Sequence, residues 1–213
     1  MVKQDVLLDL LPEGGWIDLH KPRLTPLKNE ELTLYQRFLL FLMLKVGKAR
    51  CPNIFRTMFR NLRVYFPFAR FNATVMPKGE LSRRHTELAI LRVAWKIRSF
   101  YEWGQHVEIG MRVGITPEEI VRITQGADAQ GWDKSEQVII QTVDELLHDK
   151  TLSEITWSRL SEYFEEKLIL ELLFVITTYN SLACILNSVG VELESDVYKV
   201  LAEIGRASCR ERV

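Results

Sequence analysis

The stretch SFYEWGQH, Ser99 to His106, holds the residue types that acid–base chemistry needs. An unperturbed imidazole titrates near pH 6.5, so modest changes in its surroundings tune it for proton transfer. A carboxylate beside it fixes its tautomer and orientation. Glu102 and His106 are four positions apart and project from one face of one helix. Glu87 lies upstream, and antiparallel packing about a turn near Ser99 to Tyr101 brings it to the same cleft. With Glu87 about thirteen residues before that turn and His106 about six after it, the two are on the order of 10 Å out of level. Glu102 is therefore the expected partner of His106, with Glu87 a second relay member. Trp95, Tyr101 and Trp103 supply apolar walls that raise a carboxyl pKa. The competing readings are plainer. A Glu–His pair at this spacing is common on solvated helices, and Glu87 can pair with Arg83 or Arg84 one turn earlier for a few tenths of a kcal/mol.

Helices must position these groups. "NEELTLYQRFLLFLMLKVG" has acids at its start and Gly47 at its end, and "PNIFRTMFRNLRVYF" opens on Pro52 with Ile54, Met58, Leu62 and Val64 near helical spacing. After the Pro77 and Gly79 break, Ser82 can cap a helix striped by Leu88, Leu91, Ala94 and Trp95. The stretch from Tyr101 forms a second helix ending near Gly114. Thr116, Pro117 and Glu119 make a capping box, and Asp133 with Glu136 and Thr151 with Glu154 repeat that spacing. A long apolar run to Gly190 follows, carrying Tyr179, Asn180 and Asn187 as candidates to line the same pocket. No alternating run with an Asn-Gly-type turn marks a hairpin. These signals predict an all-α single domain over 28–202, preceded by a Pro/Gly-rich irregular arm over 1–27.

Bulk properties narrow the class. Apolar residues are 47% and charged residues 26% of 213, with 28 basic and 28 acidic side chains. That balance lacks the basic surface a nucleic-acid binder needs and leaves little self-repulsion against self-association. Cys51, Cys184 and Cys209 form no CxxC and read as free thiols of a reducing, cytoplasmic setting. His20, His85 and His148 show no metal-ligand spacing. The run Leu168 to Leu186 carries Glu171 and Asn180 and reads as a buried helix or subunit contact rather than a membrane span. The last residues, "EIGRASCRERV" over 203–213, look like a translated library adapter and are expected to be non-native.

"LSRRHTELAILRVAWKIRSFYEWGQHVEIGMRVGITPEEIVRIT" resembles the carboxymuconolactone decarboxylase family, which includes the alkyl hydroperoxidase D-like proteins. "PNIFRTMFRNLRVYF" and "LFVITTYNSLACILNSVGVELE" fit its longer members, so the resemblance covers roughly residues 50 to 194. It implies an alkyl hydroperoxidase D-like helical bundle that assembles as a trimer or hexamer, with the pocket near subunit contacts. In the hydroperoxidase branch a glutamate precedes a CxxC, and a histidine follows four residues after the second cysteine. Glu87 and His106 match that glutamate and histidine, but Ser99 and Glu102 stand where the cysteines would be. Neither can attack a peroxide as a thiolate does or close a disulfide.

The decarboxylase branch also lacks the cysteines. It implies cofactor-independent acid–base chemistry on a small organic acid or lactone. In that reading His106 is the general acid/base, Glu102 its orienting partner and Glu87 a relay member, with Trp95, Ser99, Trp103 and Tyr179 contacting substrate. Arg92 and Arg98 are candidates for a carboxylate site, each also readable as a snorkelling surface cation. No metal, cofactor, nucleic acid or membrane is expected. The alternatives are a peroxidase-type oxidoreductase and a non-catalytic ligand-binding oligomer.

Overall fold

The computed structural model describes residues 10–46, 52–199 and 201. Cys51, Cys209, Gly47 and the adapter-like 203–213 stretch lie outside them. Among the described residues there is no strand. The helices are α1 (Leu34–Phe41), α2 (Pro52–Met58), α3 (Leu62–Val75), α4 (Arg83–Lys96), α5 (Phe100–Arg112), α6 (Pro117–Gln125), α7 (Lys134–Asp149), α8 (Glu154–Tyr163) and α9 (Glu166–Val189).

Capping chemistry sets several boundaries. Ser82 Oγ accepts from His85 N–H at 3.1 Å, and Thr116 and Glu119 form the reciprocal box with Pro117 in the first turn. Asp133 accepts from Glu136 N–H at 2.9 Å. Two expected starts move and one expected helix is interrupted. The first helix opens at Leu34, because Thr33 and Gln36 close a box there and leave Asn29–Glu31 as a 3₁₀ turn. The helix from Pro52 is interrupted by a 3₁₀ turn at Phe59–Asn61, and Asn61 caps α3. Ser153, not Thr151, caps α8 by accepting from Thr156 N–H.

α4 is the central helix, packed against α5, α7 and α9. Its residues Thr86 to Ala94 are buried around the whole circumference. The apolar stripe read from the sequence is thus only one side of it. Enclosing the other side buries Glu87 and Arg92, and buried charges require partners. α4 and α5 form an antiparallel hairpin whose turn at Ile97 to Ser99 places Arg98 at φ 57°. Ser99 N–H donates to Ala94 O at 2.9 Å to close it.

α9 is 24 residues long, with mean hydropathy 1.8 over its most apolar window. Its inner side, Ile169, Leu172, Val175, Ile176, Tyr179 and Leu182, packs into the core. Its outer side exposes Leu170, Phe174 and Ile185. Residues 10–28 form no helix, yet Trp16 of this arm inserts among Trp95, Phe100 and Trp103. Behind α5, the 191–201 segment docks through Leu193 against Gly104, where a Cβ would come within 2.5 Å of it. Glu194 fastens this contact by accepting from Gln105 Nε2 at 2.6 Å, the Tyr101 hydroxyl at 3.2 Å and Asn53 N–H at 2.9 Å.

Candidate active site

Glu87 sits in the middle of α4 with no exposed surface. Its Oε1 accepts from Arg83 Nη2 at 2.8 Å, and its Oε2 accepts from His106 Nδ1 at 2.6 Å. The expected vertical mismatch is absent because the turn comes earlier than Ser99 to Tyr101. Glu87 lies nine positions before the end of α4 and His106 six after the start of α5. A difference of three positions is roughly 4.5 Å along the axis, which an extended glutamate side chain spans.

Glu102, one turn before His106 on α5, brings Oε2 to 3.5 Å from Nε2. The imidazole therefore lies between two carboxyl groups, and the order expected from spacing is reversed: Glu87 is the close partner and Glu102 the distant one. The alternative pairing of Glu87 with Arg83 is also present, so Glu87 serves both neighbours. Arg84 turns away to Glu119 at 2.5 Å and Glu136 at 2.7 Å. Tyr179 of α9 closes the far side, its ring edge-on to the imidazole with centroids 5.1 Å apart. Asn72 of α3 lies against the Tyr179 hydroxyl.

Burial and mutual charge set the protonation of this group. Burial drives the Glu102 carboxyl up to about 7; the Glu87 charge adds to the effect and the His106 charge opposes it. For His106 burial works against the imidazolium, but the charge and hydrogen bond of Glu87, with help from Glu102, outweigh it and raise the pKa. Burial, then the charges of Glu102 and Glu87, hold the Tyr179 phenol well above its usual range, so it stays protonated. A carboxylate, an imidazole that favours its charged form and a carboxyl poised near neutrality thus share one enclosed space.

Several polar atoms here are buried without a hydrogen-bond partner: Glu102 Oε1, Ser99 Oγ, Trp103 Nε1, Arg83 Nη1 and Asn72 Oδ1. Such orphans are rare in folded proteins and mark places that water or a ligand completes. Ser99 and Trp103 are fully enclosed. Trp95 and Trp103 pack tilted with ring centroids 5.3 Å apart and meet Trp16 of the arm at 5.4 and 5.8 Å.

The two arginines read as carboxylate sites are engaged elsewhere. Arg92 is buried rather than snorkelling. It makes a two-pronged contact with Asp144 at 2.7 and 2.8 Å and donates to Ile123 O at 2.7 Å and Thr124 O at 3.1 Å. A charge enclosed by α4 must be satisfied locally, and Asp144 of α7 does so. Arg98 donates to Gly14 O in the arm. Asn187 donates to Ile97 O at 3.1 Å, and Asn180 lies near Cys184, so neither joins Tyr179 at the imidazole. A separate open groove of about 660 Å³ lies between the arm and the C-terminal end of α9, lined by Trp16, Phe100, Asn187 and Tyr198 among others. Sequence reasoning missed Asn72 altogether and weighed Arg83 only as a surface partner. The i, i+4 step from Arg83 to Glu87 was the available signal.

The sequence pattern of the carboxymuconolactone decarboxylase family matches residues 64–143, which include Asn72, Arg83, Glu87, Glu102 and His106. No curated protein matches the sequence. Among solved structures, the alkylhydroperoxidase AhpD core of an uncharacterized peroxidase-related protein from Ralstonia eutropha JMP134 superposes with TM-score 0.70 at 11% identity, over 83% of this chain and 94% of that one. A single-residue variant of the debrominase Bmp8 in complex with 2,3,4-tribromopyrrole gives TM-score 0.69 at 13% identity, over 85% and 96%. An uncharacterized peroxidase-related protein from Silicibacter sp. TM1040 gives 0.61 at 16%, over 85% and 93%. The fold is that of these proteins, and residues 64–143 carry the carboxymuconolactone decarboxylase family pattern with no cysteine among them.

Proposed function

We propose that this protein is a cofactor-independent acid–base catalyst acting on a small organic acid or lactone. The observation that carries the reading is the enclosed Glu87–His106–Glu102 chain. Glu87, anchored by Arg83, holds Nδ1–H and strengthens the imidazole as a base. That leaves Nε2 facing Glu102. Nε2 and Glu102 Oε2 are 3.5 Å apart, so a small side-chain movement passes a proton between them, and Glu102 Oε1, which has no hydrogen-bond partner in the protein, is the atom that exchanges it with substrate. Glu102 is thus the terminal acid/base, His106 its proton store and Glu87 the orienting group. In a decarboxylation, the carbon–carbon bond breaks, carbon dioxide leaves and the electron pair stays on the substrate carbon, which takes the Glu102 proton. In an isomerisation, the same carboxylate first removes that proton.

The peroxidase reading has less support. Ser99 and Glu102 stand at the positions of the cysteine pair, and neither side chain is a redox nucleophile. Cys184 is exposed on α9, five positions from Tyr179 and so about 140° round the helix from it. The surrounding assembly is proposed to be a homo-oligomer. Leu34, Phe38 and Phe41 form an exposed stripe on α1, and Leu170, Phe174 and Ile185 another on α9. A second copy of the chain is the occupant the family resemblance implies.

Solvent-deuterium exchange tests the chemistry whatever the product is. Carboxylated γ-lactones and β-keto acids are incubated with the protein in D₂O and followed by ¹H NMR. Deuterium entry or carbon dioxide release that His106→Asn and Glu102→Gln both abolish supports the proposal. Turnover that survives both substitutions, or turnover only with peroxide and a dithiol, overturns it.

A further inference from the structure

The proton chain is sealed from solvent. Glu87, Glu102 and His106 are each no more than 5% exposed. A substrate reaches them only if part of the wall moves. Helices α4, α5 and α9 supply much of that wall and are the packed centre of the fold. The arm covers the tryptophan side. Trp16 is edge-on to Trp95 at 5.4 Å and tilted against Phe100 and Trp103 at 5.5 and 5.8 Å.

Trp16 faces two ways. Its inner neighbour Trp103 is fully buried, follows Glu102 in sequence and carries an indole Nε1–H without a partner. Ser99 stands one turn before both Glu102 and Trp103, so its buried Oγ, also without a partner, lies between the indole side and the carboxyl side of α5. With Glu102 Oε1, three unmet polar atoms lead from Trp103 to the proton chain. On its outer side Trp16 lines the open groove of about 660 Å³, together with Phe100 and Tyr101 of α5 and Leu186 of α9. A half-buried indole thus stands between the groove and those atoms.

The backbone before the indole is suited to movement. Gly14 and Gly15 adopt φ 76° and 71°, a region where other residues are strained. A side chain at Gly15 would meet nothing within 4 Å, so open space surrounds it. Ile17 N–H donates to Arg98 O at 3.0 Å and Arg98 Nη1 donates to Gly14 O at 3.1 Å, which pins the arm to the α4–α5 turn on either side of Trp16. Releasing these contacts lifts one indole, whereas parting α4, α5 and α9 opens the core.

We propose that the groove is the outer mouth of the Glu87–His106–Glu102 site and that Trp16 is its gate, turned aside about Gly14 and Gly15 to admit substrate. The gate rests on the acid–base reading for what passes through it. Closed, the indole keeps bulk water from the carboxyl group at the end of the chain.

The test reads access to the site without turnover. Ser99→Cys places a thiol among the unmet atoms, and Thr142→Cys, at a fully buried position on α7, reports opening of the whole core. Each full-length variant is treated with N-ethylmaleimide, and peptide mass mapping separates the introduced thiol from Cys51, Cys184 and Cys209. Ser99→Cys labels at least tenfold faster than Thr142→Cys. Adding Trp16→Ala speeds labelling at the first position at least tenfold further and leaves the second within threefold; Trp16→Phe, which keeps a ring in the slot, changes neither by more than threefold. Equal rates at the two positions, no acceleration by Trp16→Ala, or equal acceleration of both overturns the gate. If Ser99→Cys does not fold, hydrogen exchange of the Trp103 indole N–H in D₂O, followed by ¹H–¹⁵N NMR, decides: a tenfold rise in Trp16→Ala supports the gate and an unchanged rate overturns it. Selective labelling without deuterium entry into the carboxylated γ-lactones or β-keto acids sinks the acid–base reading alone. Deuterium entry without selective labelling sinks the gate alone.

Discussion

Glu87 and His106, nineteen positions apart in the chain, meet at 2.6 Å across the α4–α5 hairpin, and the same glutamate also holds Arg83. The contact makes α4 part of the proton chain. Glu87→Gln keeps the shape and removes the charge that supports the imidazolium. We expect kcat to fall by roughly 10²-fold or more, the scale of a lost acid–base contribution, with circular dichroism unchanged. Retained activity within threefold would remove Glu87 from the mechanism.

Glu102 gives a pH signature in stability. Its folded pKa of about 7 lies above the ordinary 4.5 because burial disfavours the charged form. The folded state therefore binds the proton more tightly than the unfolded chain. The stability associated with that proton is fully present below the unfolded pKa and is lost as pH rises through the folded value. The shift corresponds to about 3 kcal/mol. His106, also raised, contributes in the same direction. Denaturant unfolding of wild type should show stability falling between about pH 4.5 and 8. Glu102→Gln should flatten the curve and gain most at its alkaline end. An unchanged slope in the variant would show that Glu102 ionises as freely as in water.

Arg92 tests the reassignment of a residue whose type suggested a substrate contact. Its guanidinium is committed to Asp144 and to the carbonyls of Ile123 and Thr124. Arg92→Ala should cost about 3 kcal/mol in denaturant unfolding, as loss of one partner of a buried pair does. Solvent-deuterium exchange by the folded variant should stay within threefold of wild type. A selective loss of exchange with normal stability would return Arg92 to the site.

The exposed stripes of α1 and α9 predict association. Phe38→Asp with Phe174→Asp should shift sedimentation-velocity boundaries from an oligomer to a monomer while helicity is kept. A wild-type protein that sediments as a monomer at micromolar concentration would remove those faces as contacts.

Much of this architecture is legible in local signals. Thr116, Pro117 and Glu119 announce α6, Ser82 announces α4, and Gly190, at φ 73°, ends α9. The spacing of Glu102 and His106 places both on one face before any packing is known. What spacing cannot supply is packing around the full circumference of α4. That packing buries Glu87 opposite His106 and takes Arg92 to Asp144. The hairpin's register depended on where three turn residues fell, and a shift of two positions turned an expected gap into a hydrogen bond. Asn72 offered no signal, since its place beside Tyr179 arises only from the docking of α3 on α9.

The most direct test is ¹⁵N-imidazole NMR of His106 over pH 5 to 9, in wild type and in Glu87→Gln. The proton chain requires a wild-type pKa above the ordinary 6.5, with Nδ1 protonated throughout, and a downward displacement in Glu87→Gln, where burial acts without its counter-charge. An imidazole that titrates at its ordinary value and does not respond to Glu87→Gln would contradict that chain and the function that rests on it.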